Sequence, residues 1–326
     1  MTAAGKVAPS PIGKAETKRQ HYVPRFFLSG FTSRKDGKFD VLRRTASGVI
    51  RLSGQRVENV AVERNLYEVK VPEAEDGKDN LFPNGVENLL SQFEGSFSGR
   101  FRVIIEALLE ASVRKTWTDA ELEDICDSIS IFIAALYVRN PKSVKKMLEN
   151  AKNLVPVLEQ SQLGTSDALE QLYSETMGSD WSEKIHLTPE MASQVLGLSE
   201  LVSPSKAGIE KGNKYPLIEY AEYLRNCSFQ FLTTAVDQPF IGISEPHFEG
   251  VRDSGRSYGL LYFPLSSRLA VLIVDDDKHT FEKKSLNRKQ LRLFNRAALV
   301  GEEWDWAFCS RGDYLDSFRK RNSDNE

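Results

Sequence analysis

The chain has 326 residues, of which 40% are hydrophobic and 27% charged, with a formal net charge of -3 and a pI of about 6.0. This composition is typical of a soluble globular protein with room for one large domain or two ordinary ones. It excludes a surface that is basic over the whole molecule, so a nucleic-acid contact would need a local patch. No apolar run approaches the ~20 residues that cross a bilayer, and we expect no membrane partner.

The three cysteines, Cys126, Cys227 and Cys309, are far apart and form no Cys-x-x-Cys pair. This spacing argues against a disulfide framework and against a cysteine-based zinc site, and it predicts buried thiols in a reducing compartment. Residues 1–20 are small, polar and basic and lack the hydrophobic segment of a secretory signal. We therefore predict a cytoplasmic protein whose residues 1–17 form a disordered leader.

The segment from residue 18 to residue 31 places a histidine, a tyrosine and an arginine among five large apolar residues. Pro24 favours an extended backbone before it and can itself begin a helix. The apolar residues that follow predict a short helix, which Gly30 would end.

Strand patterns come next in the chain. Residues 38–44 and 49–52 flank a short turn and predict a hairpin. Residues 57–62 and 66–71 predict two further strands. Residues 72–84 are acidic and contain glycine and proline, which predicts a loop.

The middle of the chain has the periodicity of helices. Residues 86–111 place their large apolar side chains in one stripe at about 100° per residue. Thr118 and Glu121 form a capping box, which begins a helix that runs to Arg139. Residues 203–213 predict a flexible link. More polar helices are predicted at residues 143–158, 166–177 and 188–198.

Strands return in the last third of the chain. The predicted elements are a helix at 215–225, strands at 228–236, 240–244, 260–264, 270–274 and 304–309, and a helix at 286–303. Strands at both ends that do not alternate regularly with helices predict an α+β fold, with mixed or antiparallel strands around a central helical block. We expect a single domain at 18–318 with a helical insertion at about 142–212, and a frayed tail at 319–326.

Several short segments resemble one known family. His21-Tyr22-Val23-Pro24, with the Phe-x-Leu-x-x-Phe pattern that follows it, is similar to the signature of an uncharacterised, mostly bacterial family, the domain of unknown function 4238. The resemblance covers roughly residues 21–309, and the family itself supplies no activity. In the late turn, Glu245 stands where the family has aspartate, and the family's following asparagine is absent. The other similar segments are 63–67, 87–94, 137–141, 240–246 and 263–266.

His21 is the first candidate for chemistry, because histidine titrates near neutral pH and can act as an acid, a base or a metal ligand. The alternative is a structural histidine that packs at an apolar edge and bonds a backbone carbonyl. Glu245 lies in a turn after a strand, where functional sites are common. If it were a catalytic base, its extra methylene would displace the carboxylate relative to the family's aspartate.

Glu87 and Glu94 are seven residues apart on one predicted helix, so both point the same way with Cα atoms about 10 Å apart. That spacing is long for chelating one metal ion and favours a separate partner for each carboxylate, such as Arg25, Arg139 or His21. Arg139 ends an apolar helix, where a cation is favourable for structural reasons alone. An arginine in an acidic cluster could also clamp a phosphate or a carboxylate.

Two functions are compatible with these residues. In the first, His21, Glu87, Glu94, Arg139 and Glu245 meet at the site of a phosphodiester hydrolase of a bacterial defence or mobile-element system. The histidine would be general base or ligand, the glutamates would be bases or ligands of Mg or Mn, and the arginine would stabilise charge.

In the second, the chain is a non-enzymatic ligand- or protein-binding module, and the same residues form a structural polar network. Phosphate-loop and dinucleotide fingerprints are absent from the sequence, and no complete catalytic motif is present.

Overall fold

The computed structural model describes residues 19–33, 35–69, 85–110, 117–161, 165–177, 187–199, 216–235, 237–253, 256–276, 278, 280–300 and 304–319. The chain divides into two compact units. The helical unit comprises Met1–Gln20, Glu63–Phe93 and Val138–Leu217, and the sheet unit comprises His21–Val62, Glu94–Tyr137 and Ile218–Glu326. The expected single domain with a helical insertion stays a prediction.

Helices and strands are distributed along the whole described chain. The helices are α1 (Arg25–Ser29), α2 (Gly85–Glu110), α3 (Asp119–Arg139), α4 (Pro141–Ala151), α5 (Val155–Gln160), α6 (Ser166–Met177), α7 (Pro189–Ser199), α8 (Pro216–Arg225), α9 (Arg288–Val300) and α10 (Gly312–Arg319). The strands are β1 (Arg19–His21), β2 (Phe39–Thr45), β3 (Gly48–Gln55), β4 (Val62–Arg64), β5 (Ser228–Thr233), β6 (Gly242–Ile243), β7 (His247–Asp253), β8 (Arg256–Pro264), β9 (Leu269–Val274), β10 (Phe281–Ser285) and β11 (Trp306–Cys309).

The two long helices form where the sequence predicts them. The apolar stripe of α2 is buried at Val86, Leu90 and Leu108, because an amphipathic helix gains free energy by turning that stripe inward. The capping box of α3 is present. Glu121 N donates to Thr118 Oγ1 at 3.2 Å, and Thr118 N donates to Glu121 Oε2 at 2.9 Å.

The helical unit has its own apolar core. Residues from α2, α4, α6 and α7 contribute to it, together with the segment that follows β4. Burial of these side chains supplies the main favourable term for helices that are otherwise polar. The buried residues of this core are Tyr67, Val69, Val86, Leu90, Val138, Val144, Leu158, Leu169, Leu187, Met191, Ala192, Val195 and Leu198.

The sheet unit contains a five-stranded and a four-stranded sheet. The first has the order β10-β5-β9-β8-β7, in which β10 and β5 are parallel and the other neighbours antiparallel. The second has the order β3-β2-β11-β6 and is antiparallel. Leu42 of the early hairpin pairs with Ala307, close to the end of the chain. This arrangement confirms the α+β fold, with mixed and antiparallel strands at both ends of the sequence.

Phenylalanine rings form the core between these elements of the sheet unit. The ring of Phe308 on β11 lies 6.1 Å from that of Phe27, 5.0 Å from that of Phe31 and 5.8 Å from that of Phe39. A Cβ added at Gly242 would collide with the Phe308 ring and lie 2.9 Å from Phe31 Cε1. Glycine is therefore required on β6 by the close approach of the aromatic core.

Two predicted strands are wrong. Val57–Asn59 is a 3-10 turn, and within residues 57–64 only Val62–Arg64 is extended as a strand. The described part of the predicted strand at 66–71 is irregular. Ala61 and Asn65 both have φ of 52°, in the left-handed region, which interrupts an extended chain whatever the side-chain pattern suggests.

Three elements were not predicted. β7, β10 and α10 lie in segments whose charged residues hide the apolar pattern, such as Phe-Glu-Lys-Lys-Ser in β10. The predicted leader, the loop at 72–84, the link at 203–213 and the end of the tail lie outside the described residues. Among the helices that are described, none is both long and apolar enough to cross a bilayer.

The cysteines are free thiols. Cys227 and Cys309 are buried, as the sequence predicts, and Cys126 is half-buried. Burial raises the pKa of the Cys309 thiol from its ordinary value of 9.0 to about 12. A thiol that ionises at about pH 9 when unfolded but stays protonated when folded contributes stability below pH 9, and that stability is lost as the pH rises toward 12.

We expect Cys309→Ala to reduce the loss of stability at alkaline pH. Between pH 8 and pH 10, the free energy of unfolding of the parent should fall by about 1 kcal/mol more than that of the variant. Urea unfolding at both pH values measures this difference. Between pH 7 and pH 8 the two proteins should change equally, and equal losses up to pH 10 would show that the thiol ionises alike in both states.

Candidate functional site

The His-Tyr-Val-Pro segment joins β1 to α1. Within the sheet unit, Tyr22 N donates to the carbonyl of Ala61 at 3.2 Å, and the carbonyl of Pro24 accepts from Phe27 N at 3.1 Å. His21 is only 9% exposed, and Tyr22 is buried. The segment is therefore fixed by backbone hydrogen bonds, and its histidine is largely shielded from bulk water.

Arg139 ends α3 in the helical unit. It is 1% exposed, which makes it the largest of the fully buried side chains among the described residues. Tyr67 Oη donates to its carbonyl at 3.1 Å. The next residue, Asn140, caps α4 by accepting from Ser143 N at 2.9 Å. A guanidinium keeps its charge inside a protein and therefore needs acceptors where it is buried.

Gln20 is a buried polar residue that the sequence analysis missed. It is 0% exposed, its Oε1 accepts from Tyr67 N at 2.9 Å, and its Nε2 donates to Glu68 Oε1. Its position directly before the histidine of the signature was the available signal. The amide bonds both backbone and side chain of the segment after β4, which identifies a polar network inside the helical unit.

Glu87 and Glu94 both lie on α2. Glu87 occupies the first turn, where a carboxylate is favourable because of the helix dipole. Both side chains are half-buried and both interact within the chain. About 10 Å of helix separates their Cα atoms, which agrees with separate partners for the two carboxylates.

Glu245 follows β6 in the sheet unit and is 5% exposed. Its neighbour Ser244 fixes the turn, because Ser244 Oγ accepts from Asp305 N at 3.2 Å and from Trp306 N at 3.0 Å. Ser244 N also donates to the carbonyl of Trp306 at 2.9 Å. The turn is therefore held against the start of β11, and its carboxylate is placed in the interior of the sheet unit.

The five predicted site residues are divided between the two units. His21, Glu94 and Glu245 belong to the sheet unit, and Glu87 and Arg139 belong to the helical unit. That all five meet at one site stays a prediction. Within the described ranges, no group of three or more His, Cys, Asp or Glu side chains could hold a metal ion. The Mg or Mn of the hydrolase interpretation likewise stays a prediction.

Helix α9 carries a basic face that the sequence analysis did not recognise. At 100° per residue, Arg288, Lys289, Arg292 and Arg296 fall within about 100° of arc. The helix contains no acidic residue. Its buried side includes Leu291, which is 0% exposed. The spacing of the four cations at i, i+1, i+4 and i+8 was the sequence signal for this face. The helix was instead predicted from its apolar side, so the basic side was not considered.

The four cations of this face have no carboxylate partner in the described part of the chain. None of them forms a hydrogen bond or an ion pair with another described residue, although the Arg292 guanidinium lies 5.7 Å from the Phe318 ring centroid. Lys289, Arg292 and Arg296 line a depression of about 210 Å³ between α9 and α10. Such cations are available to an anionic partner.

These features define an α+β protein with a mixed five-stranded sheet, an antiparallel four-stranded sheet, buried polar residues in both units and a basic face on α9. The family model described as "Protein of unknown function (DUF4238)" matches residues 19–301, and the chain belongs to that family. This confirms the resemblance seen in the sequence. No curated protein and no solved structure matches the chain.

Proposed function

We propose that this protein is a non-enzymatic module that binds nucleic acid through the basic face of α9. The observation that carries the proposal is the set of four cations on one helical face, none of which has a hydrogen-bond acceptor among the described residues. Phosphate groups are the natural partners of such a face, because binding releases the counterions that surround a nucleic acid. The proposed recognition is of the backbone and not of the base sequence.

The net charge of the chain is compatible with this local face. The molecule is slightly acidic as a whole, with a formal charge of -3. At physiological salt, charges farther than about 8 Å from a phosphate are largely screened, so nearby cations decide the interaction. Leu293, which is 61% exposed beside these cations, would add apolar surface for the sugar.

The burial of the predicted catalytic residues supports a role without catalysis. His21, Arg139 and Glu245 are 9%, 1% and 5% exposed, respectively. A catalytic residue must come within hydrogen-bond distance of the phosphodiester on which it acts. Access to the polymer is therefore required of a catalytic group whatever its pKa. Buried groups that are held by hydrogen bonds more often stabilise and specify a fold.

Fluorescence anisotropy of a labelled duplex oligonucleotide tests the proposed binding. If all four cations contact phosphates, raising the salt concentration from about 50 to about 200 mM should weaken binding about 100-fold. The double substitution Arg292→Gln with Arg296→Gln should reduce the slope of log K against log salt by about 2. Arg56→Gln is the matched control, since Arg56 is an exposed arginine elsewhere in the sheet unit.

Two results would contradict the proposal. Equal losses in the control and in the double variant would show that the face is not the binding site. Cleavage of the oligonucleotide with Mg²⁺ or Mn²⁺, lost on His21→Ala, would instead support the phosphodiester hydrolase, together with the defence or mobile-element role predicted with it. Cleavage that survives His21→Ala would remove that histidine from the mechanism.

A further inference from the structure

A second, larger cleft lies wholly within the sheet unit, on residues that the nucleic-acid proposal does not use. Its volume is about 600 Å³, within the range of small-molecule sites. It is formed by the end of α1, the C-terminal half of α2, the β8–β9 turn and the residues after β11. Its lining includes Phe26, Phe101, Arg102, Arg268, Arg311 and several serines.

Aromatic rings form the apolar wall of the cleft. Phe26 is half-buried, and its ring centroid lies 5.6 Å from that of Phe101 and 5.7 Å from that of Phe132. Leu265 and Ile105 line the cleft beside them. Phe27 and Phe101 are only 1% and 4% exposed, so the half-buried ring of Phe26 is the lining ring on which a flat aromatic group could stack.

The cations of the cleft differ in how they are engaged. Arg311 is committed, because its Nη2 donates to Asp313 Oδ2 at 2.7 Å and its Nη1 to the carbonyl of Asp237 at 2.8 Å. Arg102 and Arg268 form no hydrogen bond or ion pair through their guanidinium groups with any residue that the structure describes. Arg268 Nε is buried from bulk solvent and has no acceptor among the described residues.

The hydroxyl groups divide in the same way. Ser29 Oγ donates to the carbonyl of Arg25 at 2.8 Å, and Ser266 Oγ accepts from Leu269 N at 3.1 Å. In contrast, the hydroxyls of three other lining serines make no hydrogen bond to the described chain. These three are Ser98, Ser267 and Ser310. The cleft therefore presents two uncommitted guanidinium groups and three uncommitted hydroxyls.

The turn that carries Arg268 is held in place before any ligand arrives. Ser267 N donates to the carbonyl of Gly30 at 3.0 Å, and the carbonyl of Ser267 accepts from Phe240 N at 2.9 Å. The carbonyl of Arg268 accepts from Thr234 N at 3.2 Å. Ligand binding would therefore lose little free energy to the ordering of this turn.

We propose that this cleft binds a phosphate monoester joined to a flat aromatic ring system, the chemical class of mononucleotides. Arg102 and Arg268 are the lining arginines that remain once Arg311 is paired with Asp313, and they share the lining with one glutamate, Glu106, so the described lining carries a net positive charge. A phosphate monoester carries a negative charge of about 1.5 to 2 and offers three acceptor oxygens to guanidinium and hydroxyl donors. The aromatic wall takes the ring. The proposal goes beyond the nucleic-acid proposal and does not rest on it.

Isothermal titration calorimetry with adenosine 5′-monophosphate, adenosine and inorganic phosphate tests the cleft. The monophosphate should bind, and adenosine and inorganic phosphate should each bind at least about 10-fold more weakly, because each lacks one half of the ligand. Arg268→Gln and Arg102→Gln should each weaken the monophosphate by about 10- to 100-fold. Arg56→Gln, at an exposed position outside both the cleft and the basic face of α9, should leave it unchanged within about 2-fold.

Three outcomes would overturn the proposal. They are no binding of the monophosphate, equal binding of adenosine, or an equal loss in Arg56→Gln, which would indicate diffuse attraction of anions. Arg102 is exposed on α2, so Arg102→Gln keeps the test decisive even if Arg268→Gln fails to fold. A protein that binds the oligonucleotide but not the monophosphate would contradict the cleft proposal and leave the nucleic-acid proposal standing.

Discussion

Replacing Arg139 with alanine is expected to lower the free energy of unfolding by about 3–5 kcal/mol. The side chain is 1% exposed, at the end of α3 in the helical unit. A buried guanidinium persists only where acceptors satisfy it, so alanine would leave those acceptors unpaired and open a cavity. Urea unfolding followed by far-ultraviolet circular dichroism measures the loss.

Two further variants serve as controls for the effect of Arg139→Ala on stability. Lys145→Ala, at an exposed position on α4 of the same unit, should change stability by less than about 0.5 kcal/mol. The loss of stability in Arg139→Lys should fall between those of Arg139→Ala and Lys145→Ala. An ammonium keeps the positive charge but cannot reproduce the planar hydrogen-bonding geometry of a guanidinium. An Arg139→Ala protein as stable as the parent would show that the guanidinium is dispensable for the fold and would favour a role in binding a phosphate or a carboxylate.

Replacing Phe308 with alanine is expected to cost about 3–5 kcal/mol in the sheet unit. The ring is 0% exposed and lies against three other phenylalanine rings. Its removal takes away transfer free energy and leaves a cavity that a close-packed aromatic core can only partly refill. The free energy of unfolding from urea titration is again the measurement.

The size dependence of this effect provides its control. Phe308→Leu keeps most of the buried apolar volume and should cost less than Phe308→Ala by at least about 1 kcal/mol. Leu293→Ala removes a side chain that is 61% exposed and should have little effect. If Phe308→Ala and Leu293→Ala destabilised the protein equally, the ring cluster would not be the core that its burial indicates.

Local signals predicted much of the secondary structure. The apolar stripe of α2 and the capping box of α3 each depend on residues that are close together in the sequence, and both helices form. The hairpin of β2 and β3 forms for the same reason, since a short turn sets its register at Thr45 and Gly48. Such elements need no knowledge of the rest of the fold.

Signals that depend on backbone conformation or on distant partners were missed. The left-handed residues Ala61 and Asn65 break two apolar runs that look like strands. The pairing of β2 with β11 joins residues that no local pattern connects. Sequence periodicity reports which face of an element is apolar, but not which distant element will cover it.

The two surfaces for which functions are proposed follow the same division. The basic face of α9 is visible in the sequence as four cations with helical spacing, once the helix is known. The cleft could not be predicted, because its lining comes from segments as distant as Gly30, Arg102 and Arg311. Two of its walls, the end of α1 and the β8–β9 turn, do belong to segments that carry the family resemblance, which was the available but unused signal.

The pairing of Leu42 with Ala307 has a consequence for synthesis on the ribosome. At about 5–20 residues per second, the early hairpin emerges some tens of seconds before its partner strand is translated. During that time one edge of the hairpin can only be covered by solvent, a chaperone or another nascent chain. A nascent chain that stops short of β11 would therefore keep an open strand edge, and we expect such truncated products to aggregate or be degraded.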